Sequence, residues 1–150
     1  MSNILVDADA CPVKEEIYRV AKRYKLKVIL VANSWMKTPE SSDIELILAD
    51  DQFDAADNWI VEHVSKNDIV ITGDVLLAAR VLEKEARVLN HKGYIFTKDS
   101  IGNAVANRDL QAQLRNMGIM QGGPAPFSPK DRSLFLQKLD MIIQSINKQK

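Results

Sequence analysis

The feature that most limits the fold of this chain is the alternation of short apolar runs with longer helix-forming stretches. The apolar runs are continuous in Ile, Val and Leu, which is typical of strands that are buried on both faces. Strands of this kind, separated by helices, indicate a parallel sheet covered on both sides. We therefore predict an α/β fold of three layers, with about five mainly parallel strands flanked by helices. The predicted strands are Asn3–Val6, Lys27–Val31, Ile44–Leu48, Ile69–Thr72 and Arg87–Leu89.

Helices are predicted in most of the chain between and after these strands. Gly102 indicates a break or a late start in the fourth helix, and Gly118 indicates its end. Ser128 is the expected N-cap of the last helix, with Pro129 at its first position. The predicted helices are Val13–Tyr24, Ala55–Ser65, Val75–Glu85, Ser100–Met117 and a last one whose apolar stripe is Phe135, Leu139, Ile142, Ile143 and Ile146. Loops are expected at Trp35–Ser42 and Gln121–Phe127.

The length and composition limit the number of domains, the partners and the location that we expect for the protein. A chain of 150 residues without an internal repeat or linker fits one domain, residues 1–150. Its 20 basic and 20 acidic residues balance, so no overall charge advertises nucleic-acid or membrane binding. A secretory leader and a bilayer-spanning apolar run are not recognisable, and Cys11 is the single cysteine. We expect a cytoplasmic protein without a membrane partner.

Two predicted strands deliver a carboxylate at their carboxyl ends. Asp7 follows the first strand, and Asp74 follows the fourth after Gly73. Open α/β sheets place their ligand sites at this edge, so the two carboxylates are expected to converge if the strands are neighbours. Two like charges about 4 Å apart repel by roughly 4 kcal/mol at an effective dielectric of 20. A cation relieves this repulsion, so the pair predicts a metal site.

Other acids belong to the same predicted edge. Asp9 is close behind Asp7, while Asp54 and Asp57 open the second helix, which starts where the parallel strands end. Carboxylate oxygens suit Mg²⁺ or Mn²⁺, which keep several water ligands. The alternative is that Asp54, Asp57 and Asp74 simply start helices, because Asp is a favoured N-cap and complements the helix dipole. The predicted metal ligands are Asp7, Asp9, Asp54, Asp57 and Asp74.

Several motifs resemble the YaiI/YqxD family of bacterial proteins along almost the whole chain. The most specific of them is Asp7-Ala8-Asp9-Ala10-Cys11-Pro12-Val13-Lys14. The others are Phe53-Asp54-Ala55-Ala56-Asp57, Asp68-Ile69-Val70-Ile71-Thr72-Gly73-Asp74, Arg108, Leu114-Arg115 and Gly122-Gly123-Pro124. The family in turn resembles a branch of the PIN-like nucleases, which hold metal between acids at the ends of a parallel sheet.

This resemblance implies a metal-dependent nuclease that hydrolyses RNA or DNA phosphodiester bonds. Asp7 and Asp74 match the acids of the first and fourth strands of PIN-like nucleases, so the resemblance implies a catalytic role for both. It implies direct or water-mediated metal support by Asp9, Asp54 and Asp57. One alternative keeps the fold but makes the protein a nucleic-acid or protein binding module without catalysis.

A second alternative is a haloacid-dehalogenase-like phosphatase. The Asp7-Ala8-Asp9 spacing resembles the nucleophile and the acid/base of those enzymes, and Gly73-Asp74 resembles part of their later metal motif. However, Ala78 stands where that motif places a second acid, which argues against it. A nucleophilic Cys11 is also disfavoured, because neither His63 nor His91 forms a recognisable motif with it.

Basic and aromatic side chains are candidates for nucleic-acid contact. The candidate phosphate contacts are Lys14, Arg80, Arg108, Arg115, Lys130 and Arg132. Arg108 and Arg115 are seven residues apart and therefore share one side of their helix. The alternative for each is an ordinary solvated charge. Trp35, in a polar loop, is a candidate for base stacking, whereas Trp59 fits the apolar face of its helix.

Overall fold

Strands of this protein form one sheet that is parallel except at one edge. The computed structural model describes residues 2–50, 52, 54–118 and 126–149. The six strands of the described residues are β1 (Asn3–Asp7), β2 (Lys27–Ala32), β3 (Ile44–Leu48), β4 (Ile69–Ile71), β5 (Arg87–Leu89) and β6 (Ile95–Phe96). Their order is β3-β2-β1-β4-β5-β6, and β6 alone is antiparallel to its neighbour. The predicted α/β class and the mainly parallel sheet are confirmed.

Five α-helices accompany these strands in the described parts of the chain. They are α1 (Lys14–Tyr24), α2 (Ala55–His63), α3 (Val75–Leu82), α4 (Ile101–Asn116) and α5 (Pro129–Lys148), and a 3-10 turn spans Ala8–Ala10. Strand side chains alternate between two apolar cores. Ile4, Val6 and Ile71 face one core with α1 and α5. Leu5 and Val70 face the other with α2 and α3.

The strand order places a change of winding direction between β1 and β4. From β1 the chain proceeds outward through β2 to β3, returns to β4 on the other side of β1, and continues to β5 and β6. Val6 of β1 is paired with Ile71 of β4, so the two strands end at nearly the same level. In open α/β sheets a crevice for ligands forms at such a switch point.

The sixth strand was not predicted. It contains only two residues, too few for an alternation of side chains to register in the sequence. The turn before it is organised by Asn90, whose side-chain oxygen accepts hydrogen bonds from the N–H groups of Lys92 and Tyr94 at 3.0 and 2.8 Å. Gly93 has a φ of 90°, and a Cβ atom there would lie 2.7 Å from Leu134 Cγ of α5.

The predicted last helix is confirmed in detail. Ser128 and Asp131 form a capping box, in which the Ser128 hydroxyl accepts from the Asp131 N–H at 3.2 Å. Pro129 is the first helical residue, and the whole predicted apolar stripe is buried. Asp131 Oδ2 in turn accepts a hydrogen bond from the N–H of Ser128 at 3.0 Å. Such a cap fixes the start of the helix and is typically worth about 1 kcal/mol.

The fourth helix is confirmed to within one residue at each end, except for the break that Gly102 indicated. It runs from Ile101 to Asn116 without a break at Gly102, and Gly118 follows with a φ of 75°, as expected for a helix end. None of its residues is buried, and Leu110 and Met117 are 53% and 69% exposed. The prediction of a break was wrong because one exposed glycine costs a helix only about 1 kcal/mol.

The fourth helix packs against α3. Thr97, four residues before α4, lines a cavity together with Leu82, the last residue of α3. At 1.5 Å per residue, α3 is about 12 Å long and α4 about 24 Å. α4 is therefore about twice as long as the helix against which it packs.

Other boundaries shift by a few residues. The second helix ends at His63 and the third at Leu82, each earlier than predicted. Residues 33–43 contain no helix or strand, which confirms the predicted loop at Trp35–Ser42. Of the predicted loop at Gln121–Phe127, residues 121–125 lie outside the described part, as does the Gly122-Gly123-Pro124 motif. No described helix is long and apolar enough to cross a membrane.

Candidate functional site

The centre of the candidate site is a hydrogen-bonded chain that joins the ends of β1 and β4. The Thr72 hydroxyl donates to Asp7 Oδ2 at 2.9 Å and accepts from the Asp74 N–H at 3.0 Å. Thr72 is buried, so this geometry is shielded from competing water. Burial raises the pKa of the Asp7 carboxyl, the Thr72 hydrogen bond opposes that rise, and the charges of Asp74 and Asp9 add to it.

The Asp74 carboxylate is fixed by the start of α3. Its Oδ1 atom accepts hydrogen bonds from the N–H groups of Leu76 and Leu77 at 2.9 and 3.3 Å. Asp74 is therefore a true N-cap, as the alternative interpretation of the sequence anticipated. The cap engages only the Oδ1 atom, so capping does not by itself prevent Asp74 from binding a ligand.

The Asp57 carboxyl, in the first turn of α2, completes a group of three. Partial burial, together with the charges of Asp74 and Asp7, raises its pKa to about 6. A hydrogen bond between the Asp57 and Asp74 carboxyl groups and the charge of Asp54 contribute further. Asp57 therefore keeps its proton to a higher pH than an ordinary aspartic acid does.

The two remaining predicted acids lie on the periphery of this group. Asp9, in the 3-10 turn, accepts a hydrogen bond through Oδ2 from the Asn33 N–H at 2.9 Å. Asp54 precedes α2 in a left-handed conformation with a φ of 66°, and its side chain makes no capping hydrogen bond. The sequence thus predicted five acids at one edge, and the structure brings Asp7, Asp57 and Asp74 into mutual contact or coupling, with Asp9 and Asp54 beside them.

A cavity of about 160 Å³ opens beside the Asp7 and Asp74 carboxyl groups. His91 and Cys11 line its other side. The His91 imidazole lies against Gly73, where a Cβ atom would come within 3.5 Å of the ring. Burial and the neighbouring Lys92 lower the pKa of His91, which favours a neutral ring at pH 7, although Asp131 opposes this shift. Burial also raises the pKa of the Cys11 thiol, which argues against an activated nucleophile.

A chain of contacts through Phe127, Arg132 and Glu16 packs behind His91. The Phe127 ring centroid lies 6.0 Å from that of His91, and the Arg132 guanidinium carbon lies 5.5 Å from the Phe127 centroid. Arg132 Nε in turn contacts Glu16 Oε1 at 2.9 Å. Arg132 was predicted as a possible phosphate contact, and the structure instead shows it paired with the buried Glu16 carboxylate.

The donor chemistry of the acidic group fits Mg²⁺ or Mn²⁺. The available atoms are carboxylate oxygens, which these ions prefer, and the raised pKa of Asp57 reflects the repulsion that a cation would relieve. Within the described ranges, however, no three Asp, Glu, His or Cys side chains are close enough to one point to form a ready-made metal site. An ion at this edge would therefore be held directly by fewer than three of the carboxylates, with water as the remaining ligands.

The predicted nucleic-acid contacts are distributed unevenly around the site. Lys14 is near it, since its Nζ atom donates to the Cys11 carbonyl at 3.3 Å. Arg108 and Arg115 are exposed on α4, and Arg108 contacts the adjacent Asp109 at 3.4 Å. Arg80 is exposed in the last turn of α3, away from the acids, and Trp35 is 72% exposed. Lys130 is exposed in the first turn of α5.

Thr72 and His91 were missed as site residues. Thr72 stands two positions before Asp74 at the end of an apolar strand, and this spacing is a usable sequence pattern. His91 reaches the cavity through the turn after β5 and through its contact with Phe127, just before α5. No local sequence motif predicts this position.

Known proteins similar to this chain fit the family suggested by the motifs. The sequence profile described as "Uncharacterized BCR, YaiI/YqxD family" matches residues 5–145. The chain belongs to the YaiI/YqxD family. UPF0178 proteins from Brucella ovis, Brucella suis and Brucella canis are each 52% identical to it over 141 residues. The aligned part covers 93% of this chain and 88% of each relative. No solved structure matches the chain.

The profile match of this YaiI/YqxD protein includes the complete candidate site. Residues 5–145 contain the five acids, Thr72, His91 and α4. The predicted YaiI/YqxD resemblance is thereby confirmed.

Proposed function

We propose that this YaiI/YqxD protein is a divalent-metal-dependent nuclease of the PIN-like type, which hydrolyses RNA or DNA phosphodiester bonds with Mg²⁺ or Mn²⁺. The observation that carries the proposal is the carboxyl group of three at the switch point, where Asp57 retains a proton up to a pH of about 6. Carboxylates that repel one another at neutral pH form a site prepared for a cation. The resemblance of the acids on the first and fourth strands to those of PIN-like nucleases supports the same function.

Each residue has a defined task in this proposal. Asp7 and Asp74 would hold the ion through carboxylate oxygens, and Asp57, Asp9 and Asp54 would support it directly or through bound water. A bound divalent ion lowers the pKa of a water molecule and neutralises phosphate charge. Thr72 orients Asp7 by its hydrogen bond, and the N–H groups of α3 orient Asp74. Such fixed carboxylates do not need to reorganise when the ion and substrate bind.

A basic residue near this edge supplies complementary charge for a nucleic-acid backbone. Lys14 lies at the start of α1, beside the turn that holds Asp9, and Arg115 is exposed on α4. Lysine and arginine contacts to phosphates position a nucleic acid without reading its sequence. This arrangement supports a substrate that is longer than a mononucleotide.

A binding module without catalysis is the second candidate, favoured by the lack of three preformed metal ligands among the described side chains. The haloacid-dehalogenase-like phosphatase has less support. Ala78, at the position of that motif's second acid, is fully buried in the apolar core beside α3, and no described side chain replaces the missing carboxylate there.

Hydrolysis of end-labelled RNA and DNA tests the nuclease. Single-stranded and structured substrates are incubated with protein and Mg²⁺ or Mn²⁺, alongside the Asp7→Asn/Asp74→Asn double variant. A matched Asp99→Asn variant changes an exposed acid outside the site. We expect cleavage by wild type and Asp99→Asn and its loss in the double variant, with circular dichroism confirming that all three proteins fold. Undiminished cleavage by the double variant would refute the assignment, and metal binding without any turnover would favour the binding module.

A further inference from the structure

One large aromatic side chain near the acidic edge, Trp35, is exposed to solvent. Trp35 is 72% exposed, and no described ring stacks on it, whereas the other tryptophan, Trp59, stacks on His63 at a centroid distance of 3.9 Å. The hydrogen bond from the Asn33 N–H to Asp9 Oδ2 ties the start of the Trp35 loop to the site. An indole exposed to this extent gains little from folding, which indicates a role in binding.

The loop presents a basic residue together with this indole. Met36 packs against the apolar core on the side of α1, while its neighbours Trp35 and Lys37 are exposed. Trp35 and Lys37 are therefore both exposed to solvent, one on each side in sequence of the anchoring residue Met36. An aromatic face next to a cation is the combination by which proteins bind single-stranded nucleic acids.

The loop that carries Trp35 is placed so that a bound single strand of nucleic acid could run from it across the acidic carboxyl groups. It leaves the end of β2, which is the neighbour of β1 on the side away from β4. Strands lie about 4.8 Å apart, so Asp74 and the end of β2 are separated by about 10 Å along the edge of the sheet. A single bound strand can therefore contact the Trp35 loop and the acids at the same time.

We propose that Trp35 and Lys37 bind one nucleotide of a single-stranded nucleic acid beside the acidic site. The base stacks on the indole, and the phosphate pairs with the lysine ammonium. A paired base inside a duplex does not offer its face, so this platform selects single strands or unpaired ends. The inference rests on the proposed nuclease function and names the class of its substrate.

Tryptophan fluorescence can report on Trp35 alone once Trp59, the only other tryptophan of the chain, is replaced. In a Trp59→Phe background Trp35 is the sole indole. The protein is titrated in EDTA, which prevents metal-dependent cleavage, with oligothymidylate or oligouridylate of about eight nucleotides, and with a blunt hairpin duplex. We expect saturable quenching by the single strands and little by the hairpin.

Variants give the quantitative part of the test, with affinity measured by fluorescence anisotropy of labelled oligonucleotide. Trp35→Ala should weaken single-strand binding by about 5- to 150-fold, and Trp35→Phe by less, since it retains an aromatic face. Lys37→Ala should reduce the slope of log affinity against log salt by about 0.7. Lys66→Ala, an exposed lysine in the turn before β4 at the opposite edge, serves as the control and should change neither.

Three results would overturn the platform: equal quenching by the hairpin, unchanged affinity in Trp35→Ala, or a Trp35-dependent self-association without an effect on oligonucleotide affinity. Its failure is separable from that of the nuclease. Trp35-dependent binding without hydrolysis in Mg²⁺ or Mn²⁺ refutes the nuclease alone. Metal-dependent cleavage that is indifferent to Trp35 refutes the platform alone.

Discussion

Replacing Asp57 by Asn should stabilise the metal-free protein at neutral pH. Burial and the carboxyl groups of Asp74 and Asp7 raise the pKa of Asp57 from an ordinary 3.8 to about 6. The folded state therefore binds a proton at Asp57 more tightly than the unfolded state does. Between pH 3.8 and about 6 the folded state holds more protons, so the Asp57 contribution to stability falls as pH rises through this window. Asparagine removes this loss because it stays uncharged.

The magnitude follows from the size of the pKa change. At 1.36 kcal/mol per tenfold change in proton affinity, the full effect is about 3 kcal/mol. Because Asp57 is partly exposed, solvent screening reduces the expected gain to about 1 kcal/mol. The difference in unfolding free energy between Asp57→Asn and wild type should be near zero at about pH 4 and reach this value above about pH 7.

Urea denaturation at a series of pH values, in EDTA, measures this difference. Asp99→Asn is the matched control, and its effect should stay within about 0.5 kcal/mol at every pH. Addition of Mg²⁺ or Mn²⁺ at neutral pH should raise the stability of wild type more than that of Asp57→Asn, since the ion replaces the missing positive charge. A gain in Asp57→Asn that is the same at pH 4 and pH 7.5 would contradict the electrostatic reasoning.

Three further changes test the support of the site. Thr72→Val should destabilise the fold by about 1–3 kcal/mol and raise the pKa of Asp7 further, because a buried carboxyl loses its donor; NMR titration of the carboxyl carbon measures the latter. Arg132→Met should cost about 2 kcal/mol in urea denaturation by leaving the Glu16 carboxylate buried and unpaired, and adding Glu16→Gln should recover part of it; no recovery would refute the charge explanation. Ser128→Ala should cost about 1 kcal/mol by removing the cap of α5, while Ser128→Asp should cost less.

The acidic edge was predictable because topology alone determines it. Once the strands are parallel, every strand end and every following helix start lies at one edge, so Asp7, Asp57 and Asp74 had to lie at that edge. The sequence does not contain the order of the strands, and therefore not the neighbours of each acid. The raised pKa of Asp57 depends on how closely the side chains approach one another, which only the folded structure reveals.

The features that the sequence did not predict are positioned by contacts between residues far apart in the chain. His91 reaches the cavity because the turn after β5 packs on Phe127, at the start of α5. No periodic pattern records such a contact. The two-residue strand β6 escaped for a related reason, since its pairing with β5 defines it and its own two side chains do not.

The pairing of β1 with β4 also has a consequence for how the protein folds. Thr72 and Asp7, which hydrogen-bond to each other, are 65 residues apart in sequence. The chain has to close a long loop through β2, β3 and α2 before these side chains meet, and closure of such loops is paid for in entropy before the contacts are gained. The acidic group therefore forms only with the completed sheet, and a fragment that ends before β4 contains Asp7 and Asp57 but lacks Thr72 and Asp74. An ion or nucleic acid that bound at this edge would, in turn, stabilise the pairing of β1 with β4.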